Sequence, residues 1–126
     1  MSIVSSPEVA APRGQYSRRL LIDPGKQWLL LSGQGAADRD GNTPHGIEAQ
    51  TGLVWKNIKH LLDAADMAIA DIVKVTSYLA SADHLAGFNA ARAGVLSEHK
   101  PTSTLLIVSG LALPKFLVEI EVMAAK

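Results

Sequence analysis

The residues of this sequence with the strongest case for doing chemistry are two carboxylates near its C-terminal end, Glu119 and Glu121. They alternate with Val118, Ile120 and Val122, so an extended segment turns both acids to one face and the aliphatic set to the other. The acids then either decorate the polar outer face of an edge strand, or one of them sits in a partly buried cleft. In a cleft, desolvation raises a carboxyl pKa and suits the group to proton transfer. The alternation by itself favours the outer face. A hydroxyl, Ser32, ends an apolar run just before Gly33-Gln34-Gly35. It lacks the Gly-x-Ser-x-Gly frame of a nucleophile elbow, and Gly-x-Gly with no third glycine opening a helix is a poor phosphate cradle. That segment reads as a tight backbone turn able to line a pocket. His45, His60, His84 and His99 show none of the spacings that hold a metal and read as solvated surface groups. No metal is expected.

Turn chemistry and hydrophobic period divide the chain into the elements that must hold these residues. Residues 16–22 carry a short strand pattern, stopped by Asp23-Pro24-Gly25, and residues 28–31 a second. From 47 to 65 the period becomes helical, with Ile47, Val54, Ile58, Leu61, Leu62 and Ala65 on one stripe. Residues 71–79 are β-branched and extended. A second helix is predicted over 83–99, capped by Ser81 or Asp83, with Leu85, Phe88, Ala91 and Val95 facing inward. Residues 102–109 and 117–123 read as two final strands. The order β-β-α-β-α-β-β predicts an α+β sandwich with two helices on one sheet. Several strands are apolar on both faces: Trp28 and Leu30 oppose Leu29 and Leu31, and Leu106 and Val108 oppose Leu105 and Ile107. Such strands want cover on both sides, and two helices cover only one. A closed homo-oligomer is the simplest supplier of the rest.

Composition narrows the function further. The 126 residues include 12 Lys+Arg and 12 Asp+Glu, no cysteine, and 48% hydrophobic residues. This is one globular domain, 1–126, with residues 1–15 expected as a loose arm. The lack of cysteine excludes a disulfide scaffold, thiolate metal sites and a cysteine nucleophile. Zero net charge and scarce aromatics argue against nucleic acid as a partner, and so against ribonuclease activity. The longest uncharged run, residues 101–114, is too short and too polar to span a membrane. A cytoplasmic protein without membrane partners is expected.

Five stretches in order carry a resemblance: Leu31-Ser32-Gly33-Gln34; Gln50 with Asn57 and Ile58; Asp71-Ile72-Val73-Lys74-Val75-Thr76; Phe88-Asn89; and Val118-Glu119-Ile120-Glu121-Val122-Met123-Ala124. Together they resemble the RidA/YjgF family of reactive-intermediate deaminases, also called endoribonuclease L-PSP, over nearly the whole chain. The resemblance implies a chorismate-mutase-like sandwich assembled as a homotrimer, with small-molecule clefts at the subunit interfaces. It also implies hydrolysis of imines and enamines such as 2-aminoacrylate to a keto acid and ammonia, without a cofactor. Carried over by position, Tyr16, Ser32, Gly33, Asn89, Ser103 and Glu119 should line the cleft, with Glu119 positioning the attacking water.

The sequence departs from the family where its active deaminases carry Pro-Ala-Arg-Ser, the Arg clamping the substrate carboxylate. Here the run is Pro101-Thr102-Ser103-Thr104. A guanidinium–carboxylate pair is bidentate and charge-assisted, whereas a neutral hydroxyl bond is worth about 1 kcal/mol net. Ser103 and Thr104 become hydroxyl donors in place of the clamp. Arg92, one helical turn after Asn89, is either a substitute charge or an ordinary exposed helix residue, and its position alone favours the second. Asp66 stands where the family has a glycine after the first helix, a poorer terminator. The expectation is a trimeric hydrolase acting on a less charged or neutral imine, enamine or amide-type metabolite that lacks an anchored carboxylate, with weak or no 2-aminoacrylate deaminase activity, improved by Ser103→Arg. The alternative is a non-catalytic, ligand-binding or regulatory trimer.

Overall fold

A computed structural model describes residues 1–4 and 6–126. The helix α1 spans Ile47–Ala64 and buries Val54, Ile58 and Leu62 as its stripe predicts, together with Gln50, Thr51 and Trp55. Leu61, expected on that stripe, is exposed instead. Asp66 ends the helix in the left-handed region at φ 57°. Met67 N–H bonds Leu62 O and Asp66 N–H bonds Asp63 O, which satisfies two carbonyls that the helix end leaves open.

The second helix, α2, spans Leu85–Leu96 and follows a 3-10 turn, Ala82–His84, whose Asp83 N–H is accepted by Ser81 Oγ at 3.2 Å. It stops at Ser97, again with positive φ, short of the predicted end at His99. Its buried residues are Phe88, Arg92 and Leu96; of the predicted set Phe88 is buried, Val95 packs half-buried against the core, Ala91 is half-buried and Leu85 is exposed. A Cβ on Gly87 would stand 2.5 Å from Ile47 Cγ2, so the two helices approach closely at Gly87.

The main sheet is mixed, in the order β3 (Trp28–Leu30), β7 (Val118–Ala125), β5 (Ile72–Leu79), β6 (Thr102–Ile107), with the short β4 (Gln34–Gly35) beside β7. β5 and β6 are parallel, linked by α2, and the other pairs are antiparallel. β7 is therefore a central strand, which corrects the edge-strand alternative for Glu119 and Glu121. One face carries Val118, Ile120, Val122, Val75 and Leu79 against the helices and forms the core with Val54, Ile58, Leu62 and Phe88. The other face carries Glu119, Glu121 and Met123, registered against Tyr78, Thr76 and Lys74. There Trp28, Leu30 and Leu106 are exposed large apolar side chains, as the two-faced strands predict.

The first predicted strand contributes little to this sheet. Only Leu20–Leu21 (β2) is extended and paired, and its partner is Ser2–Ile3 (β1), in a separate two-stranded ribbon. Beyond this, Ser17 forms only an isolated bridge to Thr102 at the start of β6. Residues 1–15, expected as a loose arm, thus include a paired strand, while Ser5 lies outside the described residues. Two helices packed on one mixed sheet is the architecture the element order predicts.

Candidate functional site

Four of the sequence-selected residues, Tyr16, Asn89, Arg92 and Ser103, line one cavity of about 580 Å³ between the segment 13–16, α2 and β6. Ser103 pairs with Val75 in the parallel register, so its side chain lies on the helix side of the sheet. Phe88 and Leu105 give the same cavity an apolar wall. Tyr16 is held by its neighbour: Ser17 N–H donates to Pro101 O at 2.9 Å, Ser17 Oγ donates to Lys100 O, and Ser17 bridges Thr102 at the start of β6. Gln15 Nε2 donates to Ser97 O, tying the segment to the end of α2. Asn89 is exposed at the mouth.

Arg92 is not the exposed helix residue its position suggested. It is 7% exposed, and its fully buried Nη2 has no hydrogen-bond partner among the described residues. Burial pushes its pKa below the usual guanidinium value, yet an arginine remains a cation across the physiological range. The signal was present in the sequence. Arg92 stands midway between Phe88 and Leu96 at four-residue spacing, on the apolar stripe itself.

A second group forms on the other face of the sheet. Glu119 sits against Gly33, where a Cβ would come within 2.5 Å of its Oε2. That clearance is why a glycine is needed at this position. Ser32 is exposed next to it. Glu121 is engaged differently, since its Oε1 accepts the Tyr78 hydroxyl proton at 2.6 Å. This bond, with burial and the nearby acids, raises the Tyr78 pKa.

Glu119 and Ser103 lie on opposite faces of the sheet, on β7 and β6 with β5 between them, so one chain does not bring them together. Thr104 shares the outer face with Glu121 and lines a separate cavity of about 400 Å³ with Tyr16, Arg18, Lys74 and Ser103. The histidine expectation fails at His99, which is half-buried and donates from Nε2 to Ile72 O at 2.7 Å. Gln50 was missed as a positioning residue. It is buried, donates to Pro44 O and Lys115 O, and accepts from Leu117 N–H at 2.8 Å, which fixes the approach to β7. No helix among the described residues is long and apolar enough to cross a membrane.

Helices on one face of a mixed sheet, a small cavity under α2 and an acid seated on glycine define a chorismate-mutase-like α+β domain. Comparison with known proteins agrees. The family profile described as Endoribonuclease L-PSP matches residues 7–126. A RutC family protein of Pyrococcus horikoshii is 34% identical over 98% of this chain and 97% of its own, and the HMF1 protein of Saccharomyces cerevisiae is 32% identical over 97% and 90%. Among solved structures, YyfB of Yersinia pestis, described as a protein of unknown function of the conserved Rid family, superposes with a TM-score of 0.82 at 29% identity. The match covers 98% of this chain and 97% of that one. RidA from a Psychrobacter species gives 0.75 at 26%, covering both chains fully. The chain belongs to the RidA/YjgF family, the family also described as endoribonuclease L-PSP.

Proposed function

We propose that this protein is a hydrolase of the imine and enamine deaminase type, acting on a small metabolite in clefts shared between subunits of a homotrimer. The observation that carries this reading is the split of the site. Tyr16, Asn89 and Ser103 lie on the cavity side of the sheet, while Ser32, Gly33 and Glu119 lie on the outer side. The outer side also exposes Trp28, Leu30 and Leu106, an apolar surface that a neighbouring copy would bury. A neighbour seated there brings its own cavity side against Glu119, and the two halves complete one site.

The chemistry asks little of the protein. A protonated imine is electrophilic at carbon, and an enamine becomes one by protonation at its β-carbon. Glu119 accepts a hydrogen bond from a water and takes its proton as the oxygen attacks that carbon. Glu119 then returns that proton to the nitrogen of the carbinolamine, and as the hydroxyl proton passes to the carboxylate the C–N bond breaks, leaving ammonia and a carbonyl product. Ser103 and Asn89 orient the substrate with neutral hydrogen bonds, and no cofactor is required. With the Ser103 hydroxyl as the only ligand for its carboxylate, turnover of 2-aminoacrylate is expected to be weak or absent, and Ser103→Arg to raise it; robust wild-type turnover would show that another group does the clamping.

The decisive measurement is ammonia release from small imines generated in the assay. Glu119→Gln is expected to lower it by about 10²- to 10⁴-fold, the usual worth of a general base, with the oligomer unchanged in mass. A Glu119→Gln protein with full activity overturns the assignment. The serine at 103 also supports a second reading, a ligand-binding or regulatory trimer. It predicts thermal stabilisation by a metabolite with no product formed.

A further inference from the structure

We infer that Arg92 is the anion anchor of the cavity beneath α2, so that the charged group of an anionic ligand is held from the helix wall instead of the β6 wall. The inference deepens the proposed function and rests on it for the reaction, though not for the binding. Three observations converge. Arg92 lies on the buried stripe of α2 between Phe88 and Leu96, where an aliphatic residue would complete the core at lower cost. Its Nη2 is buried without a partner, and no described carboxylate pairs with it. Among the described residues the only charged ones lining the cavity are Arg13 and Arg92, both cationic, and the polar ones, Ser103, Asn89, Gln15 and Tyr16, are neutral.

A buried cation without a hydrogen-bonded counter-charge lowers stability, and such a group keeps its place when a ligand supplies the missing partner. The geometry fits a carboxylate: a guanidinium on one wall, and the Ser103 hydroxyl on the other to bind its remaining oxygen or the adjacent polar atom. An anchor on α2 would hold the carboxylate that the Ser103 hydroxyl alone does not, so turnover of a small monoanionic enamine such as 2-aminoacrylate is expected to survive the serine at 103. A neutral amide-like compound does not suit this cavity.

The test is equilibrium binding to the intact oligomer by calorimetry, with pyruvate as the anionic probe and pyruvamide as its uncharged counterpart. The wild-type protein is expected to bind pyruvate about ten- to hundredfold more tightly, in line with one charge-assisted hydrogen-bonded pair. Arg92→Met should remove that preference, leave pyruvamide binding unchanged, and keep or raise the thermal midpoint, because it deletes an unpaired buried charge. Arg92→Lys should retain part of the preference. Equal affinity of the wild-type protein for both probes overturns the inference. So does an unchanged preference in Arg92→Met, or a lowered midpoint together with loss of both probes, which marks a structural arginine. Should Arg92→Met fail to fold, Arg92→Gln is compared with Arg92→Lys, and a wild-type preference in Arg92→Gln is equally fatal. Ammonia release is measured separately. Pyruvate preference without turnover upholds the anchor and removes the hydrolase, whereas turnover of a neutral imine without that preference does the reverse.

Discussion

Glu119 and Glu121 share a residue type, a strand and a face, and only their neighbours tell them apart. Glu121 is committed to the Tyr78 hydroxyl, whereas Glu119 rests on Gly33 and accepts no hydrogen bond among the described residues. An acid meant to hold a water needs that freedom, and it also needs a fixed position. Gly33 supplies the position by leaving room for Glu119 Cδ and Oε2 beside the backbone. In Gly33→Ala the new methyl displaces the carboxylate, the end of a flexible chain, at little cost to the fold. Misplacing a catalytic group by about 1 Å costs on the order of 10²-fold in rate, so ammonia release is expected to fall by about that factor with an unchanged thermal midpoint. Equal loss of activity and stability would show that Gly33 serves the turn and not the acid.

At the scale of elements, both helices end on residues that dislike the conformation they adopt. Asp66 and Ser97 have positive φ without being glycine. For Asp66 the sequence already marked the place, because the resemblance implies a glycine there. The left-handed conformation costs a non-glycine residue about 1–2 kcal/mol, partly offset by glycine's larger unfolded-state entropy. Asp66→Gly is expected to stabilise the protein by about 1 kcal/mol, read as a higher urea midpoint at constant slope. The Lys126 Nζ bond to Asp66 O, being to the backbone, survives the change. The Lys126–Asp66 ion pair at 4.0 Å is solvent-exposed and contributes little. For α2, periodicity identified the helix and Phe88 but not the whole of its buried face. A helix rich in alanine offers several nearly equivalent apolar stripes, and tertiary packing chooses among them.

For the whole molecule the surface decides. One face of the sheet is sealed by α1 and α2, while the other leaves Trp28, Leu30 and Leu106 in solvent around the Tyr78–Glu121 pair. An apolar sheet face of this kind associates with copies of itself or aggregates. Sedimentation is expected to give a species of three chains. Leu30→Lys, which buries a charge in the association surface, is expected to give monomers that lose ammonia-releasing activity although each chain keeps its fold. A fully active monomer would show that the site is complete within one chain.

Much of this was legible in the sequence. The element order, the α1 stripe, the alternation along β7 and the two-faced strands follow from local periodicity, which needs no knowledge of partners. The family motifs also selected residues that the fold gathers into two groups. Whatever depends on distance was beyond the sequence. Strand order makes β7 central, and the side of the sheet on which each pleat falls separates Ser103 from Glu119. Sequence alone named Arg92 and gave it the wrong environment, because one residue's burial depends on what packs over its helix. Only the tertiary structure places that cation inside, without a hydrogen-bond partner among the described residues, in the cavity that Ser103 also lines.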